Sequence, residues 1–364
     1  MKKMKDLSKL EFPRRKTVQV KVGDVLIGGG APISVQSMTK TDTRDVRTTL
    51  AQIRRLEKEG CRIARLAVPD AASAEALGKI KSRSPLPLIA DIHFDHRLAL
   101  ACLAAGVDGL RINPGNIGGR KKVEEVVRAA RERAVPIRIG VNSGSLEKDL
   151  IARHGGATAE AMAESALRHI RILEDLDYRL IKVSLKASDV PRTVEAYRRL
   201  AGKVDYPFHA GITEAGGLLR GSVKSAAGIA LLLREGLADT IRVSLTAPPE
   251  QEVRVAYQIL GSLGLGGRGT VVISCPTCGR SETDLTAIAA RVERALASSD
   301  RALTVAVMGC MVNGPGEARE ADLGVACGRG SGVLFKNGKV LARVAEKDIV
   351  PALLREFEKM KIRP

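Results

Sequence analysis

Short β-branched apolar runs recur along the chain as far as Leu245, each bounded by turn-forming residues and followed by a stretch of helical period. The runs predict strands at Ile33 to Met38, Ile63 to Val68, Leu88 to Ile92 and Gly109 to Asn113. Four more are predicted at Ile137 to Val141, Leu180 to Leu185, Phe208 to Ile212 and Ile241 to Leu245. The periodic stretches predict helices, among them Arg44 to Gly60, Lys121 to Ala134, Thr158 to Leu176, Val190 to Leu200, Leu218 to Gly236 and Pro249 to Leu260. Thr158 and Asp189 are placed to cap helix starts, and Gly60, Gly106 and Gly236 sit where helix ends need a left-handed residue. Eight strand–helix alternations within about 260 residues fit a closed TIM (β/α)8 barrel, an α/β fold. An open doubly wound sheet is the alternative that the same alternation permits.

The texture changes after Tyr257. A glycine-rich stretch, GSLGLGGRGT, leads into a shorter pattern: strand Val271 to Ser274, helix Asp284 to Ala297, strand Leu303 to Met308, then a hairpin and a final helix over Lys347 to Met360. Asn337-Gly338, between Val333 to Phe335 and Val340 to Ala342, is a two-residue hairpin signal. The Gly264-x-Gly266-x-x-Gly269 match precedes a strand instead of following one, so it reads as a linker and not a dinucleotide site. The expected division is a barrel over 1–264 and a smaller α+β domain over 265–364.

Within four predicted strands a basic residue stands between apolar ones: Leu110-Arg111-Ile112, Ile137-Arg138-Ile139, Ile181-Lys182-Val183 and Ile241-Arg242-Val243. Strand alternation puts these cations on the opposite face from their neighbours, where an unpaired charge is costly. Arg65, Asn113, Asn142, Ser184, Lys186 and Ser244 fall near the carboxyl ends of strands, the face on which barrel active sites form. Together they predict a cradle for a phosphate or diphosphate; pairing of some cations with Asp or Glu on adjacent strands is the structural alternative. Glu214, just after the seventh strand, is a candidate proton donor or acceptor or, equally, a counter-charge for an arginine. Asp91 and His93 close the third strand similarly, and a histidine there could shuttle protons or serve structure.

Composition narrows the class. Of 364 residues 45% are hydrophobic and 27% charged, which excludes a disordered or fibrous chain. Lys and Arg number 59 against 41 Asp and Glu, a net +18 that calls for an anionic partner. Aromatics make up only 2%, which argues against base stacking on single-stranded nucleic acid. The opening MKKMKDLSKLEFPRRKT has no apolar core of signal-peptide length, and no run approaches the ~18 apolar residues of a membrane span. A cytoplasmic protein is expected, with its six cysteines as thiols or metal ligands.

Four of those cysteines lie in the last quarter. Cys275-Pro-Thr-Cys278-Gly-Arg follows one predicted strand and Gly309-Cys310-Met-Val-Asn-Gly-Pro-Gly-Glu317 another, so two turns gather three thiols. Cys327 or Glu317 could supply a fourth ligand. Spacing leaves both an iron–sulfur cluster and zinc open, and the zinc reading carries the competing function, a basic zinc-knuckle nucleic-acid-binding protein.

These two cysteine segments, together with Ala90-Asp91-Ile-His93-Phe94, Arg111-Ile-Asn113-Pro-Gly-Asn116, Leu146-Glu-Lys-Asp-Leu150 and the Glu214 segment, resemble the 4-hydroxy-3-methylbut-2-enyl diphosphate synthases of isoprenoid biosynthesis. The resemblance runs from about Val18 to the end, and implies the bacterial two-domain form, a TIM barrel followed by a cluster domain. It implies reductive ring opening and dehydration of 2-C-methyl-D-erythritol 2,4-cyclodiphosphate, with electrons from flavodoxin or ferredoxin. A 4Fe-4S cluster would be held by the residues matching the family's ligands, Cys275, Cys278, Cys310 and Glu317. The family's diphosphate contacts match Arg65, Arg111, Arg138, Asn142, Lys186, Arg242 and Ser244, and its barrel proton donor matches Glu214. A head-to-tail homodimer, with the cluster domain of one subunit capping its partner's barrel, is also implied. Cys327 departs from the family pattern, which carries small residues there.

Overall fold

The computed structural model describes residues 12–281, 283–297, 299–310, 314, 316 and 320–360. They form two compact units that divide between Gly266 and Gly267.

The first unit opens with a hairpin, β1 (Val20–Val22) and β2 (Val25–Ile27), which the sequence reading passed over. Eight parallel strands follow: β3 (Ser34–Met38), β4 (Ile63–Ala67), β5 (Leu88–Asp91), β6 (Gly109–Ile112), β7 (Ile137–Asn142), β8 (Ile181–Lys186), β9 (His209–Ala210) and β10 (Thr240–Ile241). Between and after them run α1 (Val46–Lys58), α2 (Ala71–Lys81), α3 (His96–Ala104), α4 (Arg120–Glu132), α5 (Lys148–His154), α6 (Ala159–Glu174), α7 (Val190–Ala201), α8 (Leu218–Arg234) and α9 (Pro249–Ser262). Side chains of Asp45, Asp70, Asp95, Thr158 and Asp189 cap their helices, and Gly60, Gly106 and Gly236 adopt positive φ at helix ends.

The strands pair in the order β8-β7-β6-β5-β4-β3-β10-β9, and a parallel bridge from Val183 to Phe208 closes the ring. The barrel is therefore closed, and the open doubly wound alternative falls away. Leu110, Ile112, Ile137, Ile139, Ile181 and Val183 pack outward into the apolar layer beneath the helices, while their alternating partners point inward. The interior is apolar only at its amino end, where the β1–β2 hairpin buries Val20, Val22, Val25 and Ile27 against Ile63 and Ile89. Arg15 seals that end further, lying over the Phe208 ring and donating to the carbonyls of Val204 and Tyr206.

Two predicted strands are much shorter than their apolar runs. The ladder stops after Ala210 and Ile241, although Ile212, Val243 and Leu245 remain buried. The chains approach too closely there for side chains on both: a Cβ on Gly211 would stand 2.2 Å from the Arg242 carbonyl oxygen.

The second unit is a five-stranded sheet, β11 (Val271–Ser274), β12 (Thr304–Met308), β13 (Leu323–Gly328), β14 (Ser331–Lys336) and β15 (Lys339–Ala345), paired in that order. The first three are parallel and the rest antiparallel. Helices α10 (Leu285–Leu296) and α11 (Ile349–Glu358) bury Val292, Leu296, Leu353 and Phe357 against Val305, Val325 and Leu334. Asn337 and Gly338 both take positive φ in the tight turn between β14 and β15. Strand β13 was not foreseen; its core, Gly-Val-Ala-Cys-Gly, has too few β-formers to stand out.

Tyr197 ties β8 to β9, accepting from the Leu185 backbone N–H at 3.1 Å and donating to the His209 carbonyl at 2.6 Å. Tyr197→Phe strands both buried backbone groups and should lower the unfolding free energy by about 1–3 kcal/mol, read from urea denaturation at constant m.

Candidate active site

At the carboxyl ends of the barrel strands lies a cavity of about 200 Å³. All seven residues expected to hold an anion line it: Arg65 from β4, Arg111 from β6, Arg138 and Asn142 from β7, Lys186 from β8, and Arg242 and Ser244 beyond β10. Asp91, His93, Ser184 and Thr213 complete the wall. Larger depressions of about 710 and 620 Å³ lie between α6 and α7 on the outer wall. Several of their charges are paired at the surface, as in Arg179–Glu174 and Arg199–Glu160.

Five cations share the strand-end cavity with a single carboxylate, Asp91, which stands 3.4 Å from Arg111 and 3.6 Å from Arg65. Burial opposes its charge, but Arg65, Arg111 and Arg138 together hold its carboxyl below the usual range. Outside the lining, Glu252 of α9 lies 3.6 Å from Arg242 and 2.9 Å from Lys40, and accepts from the Ser37 hydroxyl. Arg111 is steered by the Gly140 carbonyl, which accepts from it at 2.7 Å, and by the His93 ring at 3.2 Å. Gly140 is required for that placement, since a Cβ would come within 2.4 Å of the Arg111 Nε.

Arg138 and Arg242 are undersupplied. Nε and Nη1 of Arg138 and Nε of Arg242 are buried with no hydrogen-bond partner among the described residues. Burial, with Arg65 and Arg111 alongside, pushes the Arg138 pKa well below its ordinary value. Burial, with Arg242 and Arg138, does the same to Lys186, and burial with Arg65 brings Arg242 down to about 10. Buried guanidinium groups that converge without protein partners are a donor set suited to a multivalent anion.

Glu214 follows Thr213 at the mouth, exposed and with φ of 51°, and is not part of the cavity wall. Left-handed backbone at a residue other than glycine is a strained feature that clusters at functional sites.

In the second unit Cys275 follows β11 and Cys310 follows β12, with Ser274 and Val307 in parallel register. The Gly309 N–H donates to the Cys275 Sγ at 3.3 Å. The exposed Cys278 thiol is drawn below its usual value by the backbone and guanidinium of Arg280, against the neighbouring charge of Cys310. Three thiols from two adjacent strand ends are a donor set suited to a soft metal centre or iron–sulfur cluster. Among the described residues no group of His, Cys, Asp or Glu is already arranged to hold a metal ion, and Glu317 lies outside the described residues. Cys327, on β13, is buried in the apolar cluster against which Cys275 packs, and burial pushes its thiol up to about 11.

With this geometry established, comparison with known proteins decides the family. Residues 17–257 match the GcpE TIM-barrel domain and residues 271–359 the GcpE protein C-terminal domain. The chain belongs to the GcpE family. It is similar to the 4-hydroxy-3-methylbut-2-en-1-yl diphosphate synthase (flavodoxin) of Geobacter sulfurreducens, 61% identical over 95% of this chain and 98% of that one. The enzyme of the same name from Thermodesulfovibrio yellowstonii is 57% identical over 95% of this chain and 99% of that one.

Sequence reasoning missed Thr213, Lys40 and Glu252 in this GcpE barrel. Glu252 had a signal: it shares a helix face with the buried Ala256 and Ile259, and a carboxylate at a core-facing position implies a buried cation opposite. Thr213 had none, because its place in the wall depends on the chain leaving the ladder after β9.

Arg138→Met removes a buried, under-partnered charge while keeping an extended side chain. Its stability in urea should match or exceed that of the parent, whereas affinity for inorganic diphosphate, by calorimetry, should fall about 10- to 150-fold, the equivalent of one charge-assisted interaction of about 1.5–3 kcal/mol.

Proposed function

We propose that this GcpE chain opens 2-C-methyl-D-erythritol 2,4-cyclodiphosphate reductively, with loss of water, to give 4-hydroxy-3-methylbut-2-enyl diphosphate. The observation that carries the reading is the convergence of Arg65, Arg111, Arg138, Lys186 and Arg242 on one cavity with too few carboxylates to neutralise them. A cyclic diphosphate supplies the missing charge and, being compact, suits a cavity of this size. The two relatives named above carry flavodoxin in their names, which supports flavodoxin as the electron donor; ferredoxin is the alternative of like chemistry.

The arginines and Lys186 bind and orient the diphosphate, while Asn142, Ser184 and Ser244 offer neutral hydrogen bonds along the same wall. Asp91 keeps Arg65 and Arg111 fixed between turnovers. Glu214, at the mouth, is placed to deliver the proton that the departing hydroxyl requires, and Thr213 beside it continues the polar wall. Cys275, Cys278 and Cys310, with Glu317, would hold a 4Fe-4S cluster. Such a cluster, when bound, supplies electrons singly to the substrate. Glu317 would give that cluster one oxygen ligand, harder than the three thiolates. Cys327, buried and protonated, stays outside this set.

For chemistry to occur the thiol-bearing unit must cover a barrel mouth. We assign this closure to a head-to-tail homodimer in which each second unit caps the partner's barrel, and a cytoplasmic location fits the free thiols. No helix among the described residues is long and apolar enough to cross a membrane.

Protein purified without oxygen should contain about four irons and four sulfides per chain, with a broad visible band bleached by dithionite, and should turn over the cyclic diphosphate. Cys310→Ser should lose both band and turnover, and Cys327→Ser neither. One zinc and no sulfide, with failed anaerobic reconstitution, would refute the cluster. In the same assay, mixing Glu214→Ala with Cys310→Ala chains should restore part of the activity through hybrid dimers; inactive mixed dimers would place closure within one chain.

A further inference from the structure

Beneath the cavity lies a second layer of titratable groups that the proposed reaction does not use. The inward face of β8 is Lys182, Ser184, Lys186; the upper two line the cavity and Lys182 does not. At about 3.3 Å rise per residue, Lys182 sits about 7 Å deeper than Ser184. It is register-paired with Arg138, whose guanidinium does reach the cavity. Below it, the apolar plug formed by the β1–β2 hairpin, Ile63 and Ile89 shuts off the amino end of the barrel.

Lys182 is 1% exposed, and its Nζ has no hydrogen-bond partner among the described residues. Every neighbouring strand presents it with a cation or a neutral group. Arg138 stands on β7, and Lys186 lies above it on its own strand. His209 on β9 is fully buried with both ring nitrogens unpartnered, and burial with Lys186 and Arg138 keeps it uncharged. The carboxylates nearby are taken: Asp91 by Arg65 and Arg111, Glu252 by Lys40 and Arg242. An ammonium buried in such a place without a counter-ion is disfavoured against the neutral amine.

We propose that Lys182 is a chargeable floor of the diphosphate site, neutral while no anion is bound and protonated when a diphosphate settles above it. Its four-carbon stem allows the ammonium to rise toward Arg138 and the cavity. The site then avoids carrying one more uncompensated charge in the free protein, yet gains an additional cation in the complex. Lys182 is thus a positioning residue for substrate charge. Its environment agrees, since burial first and Arg138 second bring its pKa from 10.5 to about 7. The unfolded chain holds this proton up to its ordinary pKa and the folded one does not, so stability of the ligand-free protein rises with pH between these values. Anion binding raises the Lys182 pKa again, and protons are taken up.

The inference rests on the proposed diphosphate site and is tested apart from turnover. Full-length protein purified without oxygen is titrated with inorganic diphosphate at pH 8, in buffers of different ionisation enthalpy, to count protons taken up. With a free-state pKa of about 7, Lys182 is about nine-tenths neutral at pH 8. The parent should therefore take up close to one proton more per diphosphate than Lys182→Met, because the ligand's own ionisation is common to both. Lys182→Arg, permanently charged, should also lose that extra proton while retaining tighter binding than Lys182→Met. The affinity of the parent should fall more steeply from pH 7 to pH 9 than that of either variant. Equal proton uptake in parent and folded variants overturns the role of Lys182 and leaves the anion site standing. No binding of diphosphate by the parent overturns both.

Discussion

Uncompensated positive charge inside a barrel is the constraint around which this protein is organised. TIM-barrel interiors are ordinarily filled by layers of apolar side chains. Here the apolar filling stops at Ile63, Ile89 and the hairpin plug, and above it the inward positions of β4, β6, β7, β8 and the chain after β10 carry Arg65, Arg111, Arg138, Lys182, Lys186 and Arg242. Folding is supported from the other face of the same strands, where Leu110, Ile112, Ile139 and Val183 pack under the helices. One face of each strand therefore stabilises the barrel while the other holds it in readiness for an anion, and buried donors left without partners are the expense of that readiness.

The same placement governs both units. In the barrel the side chains that converge do so at carboxyl ends of parallel strands, and in the second unit Cys275 and Cys310 follow the carboxyl ends of the parallel pair β11 and β12. Parallel strands in register deliver successive loops to one edge, so residues far apart in sequence meet there without any long-range contact being specified individually. The sheet turns antiparallel only after β13, beyond the strands that carry the thiols.

Glycine sets how tightly the cations can be drawn in. Gly140 leaves room for the Arg111 guanidinium, and Gly211 leaves room for both the Arg242 carbonyl and the Lys186 ammonium, 2.9 Å from where a Cβ would be. Neither position has the positive φ that usually explains a glycine; close approach is the reason. Beyond the short strands β9 and β10, Thr213 and Ser244 stand outside the ladder and complete the cavity wall.

Much of this was legible along the chain. Short β-branched apolar runs separated by stretches of period 3.6 determined eight strands, their helices and the caps at Thr158 and Asp189, because these depend on local geometry alone. Alternation also determined that Arg111, Arg138, Lys182 and Arg242 share a face opposed to their apolar neighbours, and the order of several long motifs determined the family. Tertiary structure decided what local pattern cannot encode. It turned that face into the barrel, by closing β8 on β9 through Val183 and Phe208, and left Nε and Nη1 of Arg138 and Nζ of Lys182 without partners among the described residues while Glu252 went to Arg242 and Lys40. It also put Glu214 at the mouth, outside the wall, and hid Cys327 in an apolar cluster. Pairing and burial are properties of distances between segments far apart in sequence, and those distances exist only once the ring has closed.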